Sequence, residues 1–316
     1  MDGKFVSNSP QWTYTDNGIA PLMPGHQSFA SVNLRSGLPN YGAIDTFLAE
    51  KGIQPTPNAR YSIQRAIVYR FMRREEELTV DEERSYLAAI VDIGMMWAVV
   101  SEYRGRHKLP KNLRSAFFRD PVQMVAGAPS RGRDTLAEFY AGARFKAAGC
   151  EISWEEPDVV CTFESLKFGL AVKRFKVGEG NLEEHIRKAR NQIERRNLPG
   201  IIVLDVTQSS PFLEVPHRGT QDELRAVADE WKQEHFYRPM HRRAAEWGID
   251  QRRIPYVLCF LHYAGFLPDG RVIRTTLMSN LGTGALAVPS ERERAMIQSV
   301  HRVVQQVRAT LPEAAK

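Results

Sequence analysis

The fold class this sequence predicts is α/β: a mixed central sheet flanked by helices, with an additional helical region on the N-terminal side. Three observations predict it. From Asp134 to Thr207 the chain reads as helix, three strands, helix, strand. Ahead of that segment, residues 59–103 carry two helical patterns with no strand between them. Behind it come a charged helical region, Asp222 to Trp247, and two more strand-like runs, Ile254 to Phe266 and Arg271 to Met278.

Taken in order, residues 1–58 are rich in Pro, Gly, Asn and Ser and predict an irregular arm, with a short helix at Ala43 to Lys51. The first long helix runs from about Ala59 to Glu77, with Ile63, Ile67 and Phe71 on one face. The second opens at Thr79, where Thr79-Val80-Asp81-Glu82 matches a capping box, and continues to about Tyr103. Its middle, Leu87 to Val100, is apolar except for Asp92, which predicts burial between other elements or at a subunit interface. Met95, Met96 and Trp97 read as core. Ala126 to Gly132 is a compositional break, so the chain divides into an arm (1–58), a helical region (59–125) and an α/β domain (133–316, core 134–207). That domain opens with a helix from Arg133 to Ala148, closed by Gly149. Strands follow at Cys150 to Trp154, Asp158 to Phe163 and Phe168 to Phe175. A polar helix (Leu182 to Asn197), an apolar strand (Gly200 to Val206) and a closing helix (Pro289 to Leu311) complete it.

Composition narrows the function classes. With 43% hydrophobic and 25% charged residues, the 316-residue chain suits a globular protein. The best candidate for a membrane span, Ile254 to Leu267, is too short and contains His262. Met1-Asp2-Gly3-Lys4-Phe5 has no secretory apolar core, and Asp2 stands where myristoylation needs glycine. A soluble cytoplasmic protein with no membrane association is the expectation. Cys150, Cys161 and Cys259 form no CxxC pair, so they read as small buried hydrophobes, not as a disulfide framework or a zinc ribbon. There is no Gly-x-x-x-x-Gly-Lys-Ser/Thr and no Gly-x-Ser-x-Gly. His217, His235, His241 and His262 make no metal spacing, and Gly282-Thr283-Gly284 lacks the context of a dinucleotide loop.

The net charge of +6 is compatible with a polyanionic partner without requiring one. Its distribution is more informative. From Arg104 to Arg119 the chain carries Arg104, Arg106, Lys108, Lys111, Arg114 and Arg119, with His107, Phe117 and Phe118 among them and no acidic residue. Such a run suits a phosphate backbone, or equally a solvated basic loop. A second cluster, Arg187, Lys188, Arg190, Arg195 and Arg196, suits a backbone too, or ion pairs with Glu183, Glu184 and Glu194 at helical spacing.

The residues that suggest chemistry lie between Asp134 and Thr207. Glu138 sits on the first helix and Glu155-Glu156-Pro157-Asp158 at the start of the second strand. Lys173 comes 15 residues after Asp158, at the end of Gly169-Leu170-Ala171-Val172-Lys173, and Gln192 lies on the next helix. Metal-assisted phosphodiester hydrolysis needs this kind of set. Mg²⁺ takes one or two protein carboxylates and keeps several waters. The metal polarises the phosphate and acidifies a bound water, while a lysine beside it orients that water and offsets developing charge. Asp158 fits as ligand, Lys173 as the cation, and Glu138 as ligand or supporting base.

Pro157-Asp158, the lysine of Ala171-Val172-Lys173, Glu138 on the preceding helix and the Gly200 to Val206 strand together resemble the PD-(D/E)xK, or restriction-endonuclease-like, nuclease superfamily. The resemblance covers about 75 of the 316 residues and rests on order and spacing. It implies a restriction-endonuclease-like mixed sheet and Mg²⁺- or Mn²⁺-dependent hydrolysis of DNA phosphodiester bonds, in antiviral defence or repair. The site it implies comprises Glu138, Asp158, Lys173 and Gln192, with Asp158 and Glu138 on the metal. The nucleic-acid contacts would come from Arg104, Arg106, Lys108, Lys111, Arg114, Arg187 and Arg190. One departure stands out. The family pattern places Asp or Glu at position 171, on the same strand face as Lys173, and this chain has Ala171. Three accounts remain open: a migrated carboxylate (Glu138 first, Glu164 second), a degenerate member that binds nucleic acid without cutting, or an engineered knockout. A scaffold or interaction protein, forming a homodimer or binding another protein through Leu87 to Val100, is the expectation of a different class.

Overall fold

The computed structural model describes residues 28–33, 38–73, 78–104, 112–122, 130–175, 182–243, 246–247, 249, 252–282 and 290–310. The strands are β1 (Ser28–Asn33), β2 (Glu151–Ser153), β3 (Val159–Phe163), β4 (Leu166–Arg174), β5 (Gly200–Asp205), β6 (Tyr256–Phe266) and β7 (Val272–Gly282). They form one seven-stranded sheet in the order β1-β7-β6-β5-β4-β3-β2. The β4–β5 and β5–β6 pairs are parallel and all other pairs antiparallel. The helices are α1 (Leu38–Glu50), α2 (Arg60–Arg73), α3 (Val80–Tyr103), α4 (Leu113–Phe118), α5 (Arg131–Ala147), α6 (Leu182–Arg195), α7 (Gln221–Lys232), α8 (Arg238–Arg243) and α9 (Glu291–Ala309).

Every residue of β5 and of β6 is buried, as expected of central strands covered on both faces. Alternation sorts their side chains into two layers. Leu170, Val172, Ile201, Val203, Leu258 and Phe260 face one apolar cluster, shared with α1 to α5 and α9. Ala171, Ile202, Leu204, Val257, Cys259 and Leu261 face the other, shared with α6, α7 and α8. The structure is therefore α/β, a mixed sheet between helical layers.

The helix start at Thr79 is as expected. Thr79 accepts from Glu82 N, and Glu82 Oε2 accepts from Thr79 N at 2.9 Å, closing both halves of the box. Among the described residues, α3 is the one helix long and apolar enough to cross a membrane, and 78% of its most apolar window is buried inside the protein. It packs against α2, α5 and β6. The lone charge of its apolar middle, Leu87 to Val100, is Asp92, enclosed by α2 and α5. Asp92 Oδ2 accepts from Gln64 Nε2 at 2.6 Å and lies 2.9 Å from Arg133 Nη2 and 3.7 Å from Arg60 Nε. Asp120 continues the network. It lies 3.5 Å from Arg60 Nη1 and accepts from the backbone N–H of Gly132 (3.2 Å) and Arg133 (2.8 Å), satisfying donors at the start of α5.

Three differences from the sequence reading have physical causes. β1 lies in the arm expected to be irregular, because its pairing with β7 is a long-range contact with no local signal. α1 begins at Leu38 rather than Ala43: Pro39 is tolerated in a first turn, where its missing N–H costs nothing. α4 falls inside the basic run, with Leu113, Ala116 and Phe117 buried. The expected break at 126–132 lies mostly outside the described residues. The helical region and the sheet share one apolar cluster, running from Tyr41 of α1 to Val307 of α9.

Candidate metal-assisted hydrolysis site

Because β3 and β4 are antiparallel while β4 and β5 are parallel, the start of β3 and the ends of β4 and β5 meet at one end of the sheet. The chain enters β3 through Pro157, whose ring lies against Gly169 of β4. A Cβ at 169 would come within 2.7 Å of it, so glycine is what admits this approach. Asp158 follows. Its Oδ2 accepts from the backbone N–H of Val172 at 2.7 Å, beyond the last β3–β4 pair, and from Lys173 Nζ at 3.2 Å. Lys173 Nζ also donates to the Val172 carbonyl at 2.8 Å. From α6, Gln192 Nε2 reaches Pro157 O at 3.1 Å and Asp158 Oδ1 at 3.4 Å, while its own Oε1 is buried with no hydrogen-bond partner among the described residues. The sequence-predicted residues Asp158, Lys173 and Gln192 are thus brought together. The Asp158 and Lys173 side chains keep 14% and 18% of their surface exposed, enough for a small ligand to reach them.

Glu138 approaches from α5. Burial pushes its carboxyl up to about 7, the nearby Asp158 and Asp134 charges push the same way, and Lys173 opposes them. Asp158 is also raised, chiefly by burial, with Lys173, the Val172 N–H and Gln192 holding it back. Two carboxyls and a lysine therefore sense one another, and one carboxyl titrates near neutrality, as at sites that handle protons or metals.

On the other face of β4, Arg174 is nearly buried and lies 3.5 Å from Asp205 and 3.7 Å from Asp134, as expected of a structural arginine. Asp134 is the acidic residue sequence reasoning passed over. Its signal was the i, i+4 spacing to Glu138, which puts both on one face of α5.

Ala171 is fully enclosed in the apolar cluster that includes Ile186, Ala189, Ile193 and Ile202. Glu164, a candidate for the migrated carboxylate, is not at this site. It occupies the β3–β4 turn at the opposite end of the hairpin and pairs with Arg302 at 2.7 Å. Of the candidate backbone contacts, Arg104, Arg114 and Arg187 are exposed. Arg190 donates to Trp247 O at 2.9 Å and to Asn191 Oδ1 at 3.2 Å. Arg106, Lys108 and Lys111 lie outside the described residues. Cys150, Cys161 and Cys259 are buried. His262 is also buried, bonds Thr276 Oγ1 at 2.9 Å, and is driven down to about 4 by desolvation, so it is a neutral core residue.

Asp158, Glu138 and the Val172 carbonyl are hard oxygen donors, a set that suits Mg²⁺ or Mn²⁺ and not a soft metal. Among the described residues no group of three or more His, Cys, Asp or Glu converges. Comparison with protein-family models, curated proteins and solved structures returns no match to this chain.

Proposed function

We propose that the protein is a metal-dependent nuclease with a restriction-endonuclease-like core, hydrolysing DNA phosphodiester bonds in the cytoplasm. The observation that carries this reading is the meeting of Asp158, Lys173, Gln192 and the near-neutral Glu138 at one end of the sheet, with Lys173 Nζ 3.2 Å from Asp158. A bound Mg²⁺ or Mn²⁺ would polarise the scissile phosphate and acidify a water. Asp158 and Glu138 hold the ion in this scheme. Lys173, steadied by the Val172 carbonyl, orients the attacking water and offsets charge on the phosphate oxygens. Gln192 fixes the Asp158 carboxylate and the Pro157 backbone that carries it.

Incubating purified protein with plasmid or linear DNA in Mg²⁺, Mn²⁺ or EDTA tests this. Cleavage should require metal, and Asp158→Ala or Lys173→Met should lower it by about 10²–10³-fold, the scale for losing one transition-state contact. Cutting that survives EDTA, or persists in both variants, would sink the assignment.

A second reading is supported by Ala171, sealed among apolar side chains where the family pattern has a carboxylate. In it the chain binds nucleic acid without cutting. Salt-sensitive binding with no cleavage in any metal, together with cleavage gained in Ala171→Glu, would favour this reading. No gain from a folded Ala171→Glu, beside native activity, would favour a carboxylate supplied from elsewhere, with Glu138 the first candidate.

A further inference from the structure

The basic residues available to a phosphate backbone fall into two kinds. On and around α6 all but Arg187 are ion-paired with acids, and the exposed Arg187 lies within the field of Glu184. Lys188 lies 2.6 Å from Glu184, Arg190 3.6 Å from Glu194, Arg195 3.7 Å from Glu156 and Arg196 2.8 Å from Glu155. Glu155 and Glu156, directly before Pro157, close two of those pairs, so that corner offers a polyanion little net positive charge. The junction of α4 and α5 differs. Arg119 and Arg131 are exposed and make no ion pair among the described residues. Their backbones come close, since a Cβ on Gly132, next to Arg131, would lie 2.9 Å from Arg119 Cβ. Arg131, Asp134 and Glu138 fall on one stripe of α5 by helical spacing, which puts Arg131 about 10 Å from Glu138 along the axis. Asp120 already occupies N–H donors of the first turn, so the attraction for an anion here comes from the guanidiniums.

We propose that a nucleic-acid strand with a phosphate at Asp158 and Lys173 leaves the site across the α4–α5 junction, where Arg131 and Arg119 hold phosphates about three nucleotides away, and that it does not run along α6. This path rests on the reading of the site as one that binds nucleic acid.

The test is fluorescence anisotropy of full-length protein with a labelled 20-nucleotide strand and its duplex, in EDTA, across a salt series. Arg119→Gln/Arg131→Gln should weaken binding about 10-fold or more and lower the slope of log K against log salt by about two. Lys188→Gln/Arg195→Gln on α6, whose side chains are already paired with Glu184 and Glu156, should stay within about twofold of wild type under the same conditions. All four side chains are exposed, and circular dichroism checks that both variants fold. Equal loss in the two variants, or none in the first, would overturn the path. Failure of the wild type to bind either probe would remove the nucleic-acid reading and the path together. Binding lost only in the first variant, with no cleavage in any metal, would keep the path and remove the hydrolytic reading.

Discussion

At Glu138 a carboxyl is held where its charged form is disfavoured, and that has a measurable cost. Its folded-state value of about 7 lies above the ordinary 4.5, so between those values the native state binds more protons than the unfolded chain. Stability contributed by this group is therefore present at low pH and lost as pH rises from about 4.5 through 7, by at most about 3 kcal/mol. Glu138→Gln should be nearly neutral at pH 4 and stabilising at pH 8 when urea unfolding is followed in EDTA. An equal difference between variant and wild type at both pH values would disprove it. The residues that sequence made legible here were those whose order carries meaning: Pro157-Asp158, then Lys173, then Gln192. Asp134 was not, because a carboxylate one helical turn from another reads as surface charge until the sheet brings Arg174 beside it.

Among the elements, α3 was legible at its start and opaque in its middle. The Thr79 to Glu82 pattern marks a cap by local chemistry alone. Two more such boxes, Thr220 with Glu223 and Ser290 with Glu293, open α7 and α9 and were equally readable. Asp92 stood out in an apolar stretch, but its partners could not be read, because Arg133 is 41 residues away and Gln64 is 28. What the fold makes of it is a buried junction in which Asp92, Arg60 and Arg133 are each under 5% exposed. Removing one member leaves the others charged and uncompensated away from water. Asp92→Ala should lower the unfolding free energy by about 3–5 kcal/mol. Glu164→Ala, which breaks the exposed pair with Arg302, should cost at most about 1 kcal/mol. Both are read from denaturant midpoints in the same buffer. A similar small effect for both would mean that water reaches the Asp92 junction.

At the scale of the molecule, local pattern predicted an α/β chain with most of its strands in place, yet could not say which strands are neighbours. The apolar runs of β4, β5 and β6 announce strands buried on both faces, while their order follows from contacts between distant residues, the β1–β7 pair above all. The sequence drew a division near residue 126, and residues on both sides of it share one apolar cluster. Ile90, Met96 and Val100 of α3 share a cluster with Phe139 of α5 and with Leu258 and Phe260 of β6. The ion network crosses the same seam, from Arg60 and Asp92 to Arg133. An apolar layer of that kind is a poor domain boundary, because exposing it to water costs roughly 25 cal/mol for each Å² uncovered. A chain cut to residues 130–316 should therefore lose α1 to α4 and its tertiary order together. It should aggregate or bind a hydrophobic dye, with weak near-ultraviolet circular dichroism and no sharp thermal transition. Full-length protein should unfold in one step, with far- and near-ultraviolet signals moving together. A soluble 130–316 fragment with a cooperative transition and an intact Asp158 site would show instead that the helical layer is an accessory, and would move the burden of stability onto the sheet, α6 and α9.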